Sequence, residues 1–323
     1  VKGVSMTKEE AIPIRGLTGE RATVVLFGDS LTQRGWGEGG WCSNIAHSFQ
    51  RRADVFNRGY GGYNSRWARY LLPHLFPLGT GAKHYLIVVW FGANDAALPS
   101  EKTHVALEEY TNNMRAILQH VRQVAVHVVA VTPTPVHGAS RLRVQRMKYG
   151  DKATGVLERT TERASQYAAA LSTVAAELDV PCWNAHEAML AADGGGSWPV
   201  FLGANNLNEG DGLHLAPEGQ RFVGAKLVEF VSAIGAGPDA LPTELPLGQA
   251  IDGARFKHSI LTHQQAVRRL GVGNGHPPPE AWLGSHKAPR TTVSAFMAGV
   301  TATVIIVFLW RGVARGRMLQ RSE

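Results

Sequence analysis

Residues 23–32 read TVVLFGDSLT, five apolar-run residues that stop at Gly28, followed by an acid, a serine and a turn. A short apolar run closed by glycine predicts a strand buried on both faces. Working outward, residues 54–58, 85–91 (YLIVVWF) and 124–132 (VAVHVVAVT) predict further buried strands, and 180–183 a short one. Helical stretches fall between them, at 63–75, 104–122, 157–178 and 217–234. In the second, Leu107, Met114, Leu118 and Val121 recur near a 3.6-residue period. Pro217 suits the first turn of the last. Strand and helix in alternation predict an α/β fold of three layers, α/β/α, around a parallel sheet. In such sheets the reactive groups gather beyond the carboxyl ends of the strands.

Three segments sit where that rule wants them. Gly28-Asp29-Ser30 follows the first strand, and a serine at a strand-to-helix turn presents both its hydroxyl and its own N–H. A plain turn with a helix-capping serine reads the same way. Asp211-Gly212-Leu213-His214 precedes the last helix and places an acid and an imidazole on one loop, the pair a serine nucleophile needs. Asn94, after the 85–91 strand, and the glycines of 57–62 (NRGYGG), after the 54–58 strand, are candidate donors for a developing oxyanion. Asn and Gly are also ordinary turn residues.

Taken in order, FGDSLTQ, NRGYGGYNSRWA, FGANDA and DGLHLAPEGQRF resemble the four sequence blocks of the SGNH (GDSL-type) hydrolases. The GYNSRWA segment, the GANDA spelling and the 158–189 stretch are closest to the isoamyl acetate-hydrolysing esterase branch. The resemblance covers residues 23–235. It implies Ser30 as nucleophile, His214 as general base and then acid, and Asp211 as the residue orienting it. The Ser30 N–H, the Gly62 N–H and the Asn94 side chain would form the oxyanion hole. It implies ester hydrolysis through an acyl-serine, with no cofactor and no metal. The segment 133–151 departs from that branch; it reads as a basic loop beside the acyl pocket.

Composition fits a folded chain: 323 residues, 44% hydrophobic and 18% charged. The net charge of +7 is concentrated in two places, Arg141, Arg143, Arg146 and Lys148, and Arg311, Arg315, Arg317 and Arg321. Neither carries interleaved aromatics or a nucleic-acid motif, so both read as solvated or lipid-facing charge and no nucleic-acid partner is expected. Cys42 and Cys182 are too few for a disulfide framework. Residues 292–310 (TVSAFMAGVTATVIIVFLW) hold no charge, against the roughly 20 apolar residues that span a bilayer. The organisation expected is therefore an N-terminal extension (1–22), a hydrolase domain (23–235), a Pro/Gly-rich linker (236–290), a transmembrane helix (291–310) and a basic tail (311–323).

Ala295, Gly299 and Thr303 make a small-residue ridge on that helix, so membrane lipid and a membrane-protein partner are expected beside the ester substrate. Two functions follow. One is a membrane-anchored esterase acting on small or lipid esters; the other is an accessory subunit of a membrane complex, such as a respiratory-chain or ATP synthase complex, built on the same domain. No Asn-X-Ser/Thr acceptor occurs and the chain starts at Val1, which points to a processed protein of the mitochondrial inner membrane.

Overall fold

The computed structural model describes residues 21–81, 83–192, 198–203 and 210–269. All lie in the first of two compact units, residues 1–277. The expected membrane helix and basic tail, and most of the N-terminal extension, lie outside the described residues. Among the described residues, no helix is long and apolar enough to cross a membrane.

Five parallel strands form one sheet in the order β2-β1-β3-β4-β5. They are β1 (Ala22–Gly28), β2 (Ala53–Gly59), β3 (His84–Trp90), β4 (Ala125–Val131) and β5 (Cys182–Trp183). The apolar runs are continuous because both faces are covered. Side chains alternate along a strand, so Val25, Phe27, Ile87 and Val89 enter one core, while Val24, Leu26, Leu86 and Val88 enter the other. The first core is closed by α3 (Ser65–Leu75), α4 (Leu107–Val124) and α6 (Thr161–Glu177), the second by α2 (Trp41–Ser48) and α8 (Pro217–Ala233). That is the three-layer arrangement expected.

Sequence order and spatial order part at β1. The chain steps from β1 to β2 on one side, then crosses back to β3 on the other. Outside the carboxyl ends at this point the loops diverge and leave a crevice. A four-residue helix, α1 (Ser30–Gln33), starts there, its N-terminus capped by the Asp29 carboxylate, which accepts from the Leu31 N–H at 2.9 Å.

Two expectations are corrected. The basic segment 133–151 is not a loop: residues Gly138–Tyr149 form α5, and a further short helix, α7 (Ala185–Leu190), follows β5. Nor is the Pro/Gly-rich stretch after 235 only a linker. Ala236 and Leu241 are buried in the second core, and α9 (Phe256–Arg269) lies farther along. Residues 236–246 are strapped across the amino ends of the strands. The Glu244 N–H donates to Arg51 O at 2.9 Å, Arg51 donates to Pro246 O at 2.9 Å, and Arg52 donates to Leu241 O. Arg21 pairs with both Asp54 (2.7 Å) and Glu244. The short composition of this stretch, rich in Pro and Gly, hid three arginines waiting upstream to hold it.

Candidate active site

Ser30, half-buried at the start of α1, meets His214 across the crevice, with 2.9 Å between Oγ and Nε2. His214 Nδ1 lies 2.6 Å from Asp211 Oδ2. An ionised carboxylate only accepts, so Nδ1 carries the ring proton and Nε2 is left to accept from the serine hydroxyl. Asp211 can take this role because the loop is wound around it: its Oδ1 accepts from the N–H groups of Leu213 (3.0 Å) and His214 (2.8 Å). Burial pushes its proton affinity up, but the hydrogen bond and charge of His214 and the two N–H donors outweigh burial and hold it well below the usual carboxylate range. Gly212 makes the tight winding possible, with φ at +72° and a Cβ there lying 2.3 Å from His137 O.

The loop after β2 runs beside the same turn. The Tyr60 N–H donates to Gly28 O at 2.8 Å and the Gly61 N–H to Gln33 Oε1 at 2.6 Å. The Gly59 N–H is held by Asn57 Oδ1, and that of Tyr63 by Tyr60 O. Of the N–H groups from 59 to 63, only that of Gly62 is left without a partner among the described residues, and its φ of +81° favours glycine. After β3, Asn94 is 5% exposed; its Nδ2 donates to Tyr63 O at 2.9 Å and sits 3.5 Å from Asp29 Oδ2. The fold thus brings Ser30, His214, Asp211 and Asn94 to one crevice and tethers the Gly62 loop to its rim. Ser30, at the first position of a helix, also has an N–H that no intrahelical carbonyl can reach.

Several residues of the site were given no role in the sequence, two of them inside its motifs. Asp29 and Asp95 are fully buried, and burial pushes both carboxyls up to about 7 against the N–H groups they accept from, Leu31 and Ser65 respectively. Arg159 reaches Asn94, and Arg141 reaches Asp211. Arg141 and Arg143 belong to the basic run read as solvated charge. Arg143 instead donates to Gly210 O at 2.6 Å, and only Arg146 and Lys148 of that run are exposed. No local signal marked Arg141 and Arg143, since Asp211 and Gly210 are 70 and 67 residues farther along the chain. No group of three or more His, Cys, Asp or Glu able to hold a metal occurs among the described residues.

A family model described as the GDSL-like Lipase/Acylhydrolase family matches residues 26–222. A GDSL esterase/lipase of Arabidopsis thaliana is 38% identical over 241 residues, covering 72% of this chain and 95% of that protein. An isoamyl acetate-hydrolyzing esterase 1 homolog of Bos taurus is 34% identical over 244 residues, covering 74% of this chain and 91% of its own length. Among solved structures, a lipase/acylhydrolase from Enterococcus faecalis superposes with a TM-score of 0.50 at 21% identity, covering 69% of this chain and 98% of that one, a likeness of fold. The matched region begins within β1 and ends inside α8, enclosing every residue of the crevice just described; the chain belongs to the GDSL (SGNH) family and is a carboxylic ester hydrolase.

Proposed function

We propose that the protein hydrolyses carboxylic esters through an acyl enzyme at Ser30. The observation that carries this reading is the unbroken chain from Ser30 Oγ to His214 Nε2 (2.9 Å) and from Nδ1 to Asp211 (2.6 Å). Oγ attacks the ester carbonyl as its proton passes to Nε2, and Asp211 stabilises the imidazolium that forms. The carbonyl oxygen gains negative charge and is met by the N–H groups of Ser30 and Gly62 and by Asn94 Nδ2. His214 then gives its proton to the leaving alkoxide, and the alcohol departs. Water, deprotonated by His214, attacks the acyl-serine; the carboxylic acid leaves and Oγ regains its proton.

The substrate class proposed is small acyl esters of alcohols, which the names of the isoamyl acetate-hydrolyzing relatives support. The accessory-subunit reading has less behind it, since the reacting groups are complete and in contact. A bilayer setting rests on the sequence of residues 292–310 alone, with membrane lipid and a partner helix as its expected neighbours and the mitochondrial inner membrane as the proposed compartment.

One experiment addresses both parts. Native membranes washed in alkaline carbonate are labelled with a fluorophosphonate probe, alongside membranes carrying Ser30→Ala. Labelling of the wild-type chain only, in the washed pellet, is expected. Equal labelling of both proteins overturns the Ser30 mechanism, and a labelled chain released to the supernatant overturns the anchor. With a soluble ester, Ser30→Ala lowers kcat by roughly 10⁴-fold or more.

A further inference from the structure

We propose that Arg159 and Arg141, joined through Glu158, are positioning residues that hold the oxyanion donor Asn94 and the triad carboxylate Asp211 in one fixed arrangement. The inference rests on the ester-hydrolase reading and deepens it. Arg159 is largely buried, with its side chain 11% exposed. Its Nε donates to Ala93 O at 3.0 Å, its Nη2 to Asn94 Oδ1 at 3.2 Å and Thr103 Oγ1 at 3.4 Å, and its Nη1 to Glu158 Oε1 at 3.3 Å. A guanidinium only donates. Asn94 must therefore turn its carbonyl oxygen to Arg159, which leaves the amide nitrogen facing Tyr63 O and the turn that carries Ser30. Rotated by half a turn, the same side chain would present an oxygen to a developing oxyanion and repel it. Arg159 selects the end that stabilises.

The other half mirrors it. Arg141 Nη1 lies 3.5 Å from Asp211 Oδ2 and donates to Asp211 O at 3.2 Å, while Nη2 pairs with Glu158 Oε1. Both guanidiniums thus meet at one carboxylate oxygen. Glu158 is itself anchored through its backbone, its carbonyl accepting from the Leu98 N–H at 2.8 Å. The path Asp211–Arg141–Glu158–Arg159–Asn94 joins the acid end of the triad to the oxyanion donor without passing through substrate.

A double-mutant cycle separates positioning through Asn94 from a general structural role. For the full chain, kcat and KM with p-nitrophenyl acetate and the rate of fluorophosphonate labelling are measured in wild type, Asn94→Ala, Arg159→Met and the double variant. Arg159→Met is expected to lower kcat by roughly 10- to 100-fold, part of what losing one oxyanion donor costs, with KM near wild type. In the Asn94→Ala background the same change costs nothing further. Arg159→Lys, which keeps one donor, falls between, and it carries the same cycle where the Met variant does not fold. Losses that multiply in the double variant overturn the role of Arg159.

Arg141→Met removes a cation beside the Asp–His pair, so the acid limb of the kcat/KM pH profile moves to higher pH, and Arg141→Lys restores it. An unmoved limb overturns the role of Arg141. A wild-type chain that the probe leaves unlabelled overturns the hydrolase reading itself, whereas a labelled chain with a multiplicative cycle overturns only the bridge.

Discussion

The two ends of this sheet are built on opposite principles. At the carboxyl ends, polar groups are drawn inside: Asp29, Asp95 and Asn94 are almost wholly buried, Asp29 matched to a donor in its own turn and the other two to partners on a neighbouring segment. At the amino ends, ionic groups stay near the surface, where Arg21, Asp54 and Glu244 pair around the strap formed by residues 236–246, and the apolar contact of Leu241 goes inward instead. Buried polar groups cost stability unless fully matched, so a fold keeps them where chemistry requires them. Surface ion pairs contribute little. The carboxyl end should therefore fail in turnover when altered, and the amino end in stability.

The sharpest way to test that contrast is Asp211→Asn. The amide keeps the size of the side chain, but its NH₂ can face Nδ1 and favour the tautomer that bears its proton on Nε2. The ring then donates toward Ser30 rather than accepting. The expected loss in kcat is about 10⁴-fold, with little change in the thermal midpoint. A loss below about tenfold would mean that Asp211 does not set the tautomer of His214.

At the other end, Leu241→Ala should cost stability and leave kcat alone. Leu241 is 2% exposed and belongs to the core shared with α2 and α8. Removing three buried carbons from such a site costs about 2–5 kcal/mol, read as a shift of the urea midpoint. A drop in kcat beyond twofold in the folded variant would show that the strap is coupled to the crevice, and the contrast between the ends would break down.

The same contrast explains what was legible in the sequence. Strands β1, β3 and β4 announce themselves because both faces are buried and their runs are unbroken. Ser30, Asn94, Asp211 and His214 announce themselves because each stands in a turn directly after a strand or before a helix, within a motif. Arg141 and Arg159 stand in helix α5 and just before α6, where a basic residue normally faces water, and nothing local distinguishes them from Arg146. Their partners, Asp211 and Asn94, are 70 and 65 residues away along the chain. The strap was hidden for a similar reason: Pro and Gly read locally as linker, while Arg51 and Arg52 are almost 190 or more residues upstream of the carbonyls they hold.

A smaller effect tests whether the buried acids truly stabilise less as they ionise. Asp95 is held by the Ser65 N–H, yet burial pushes its carboxyl up to about 7, against about 3.9 in an unfolded chain. Between these values the folded protein binds more protons than the unfolded one, so this group's contribution is full below pH ~4 and is lost as pH rises through about 7. Asp211 has the opposite sign: its carboxyl is held low in the fold, so its contribution is present above pH ~4 and lost only at more acid pH. The two windows do not overlap. Burial holds the imidazoles of His84, His127, His137 and His186 low and adds an opposite slope over the same range. The urea midpoint of wild type should therefore lose ground from pH 4.5 to pH 7.5 relative to that of Asp95→Asn, which keeps those histidines but has no carboxyl to ionise there. Asp29 remains in the variant and keeps part of the slope, because it is pushed up to about 7 by the same burial. Parallel slopes in the two proteins would mean that Asp95 is ionised in the fold at all these pH values, its charge matched by the Ser65 N–H and its neighbours despite burial.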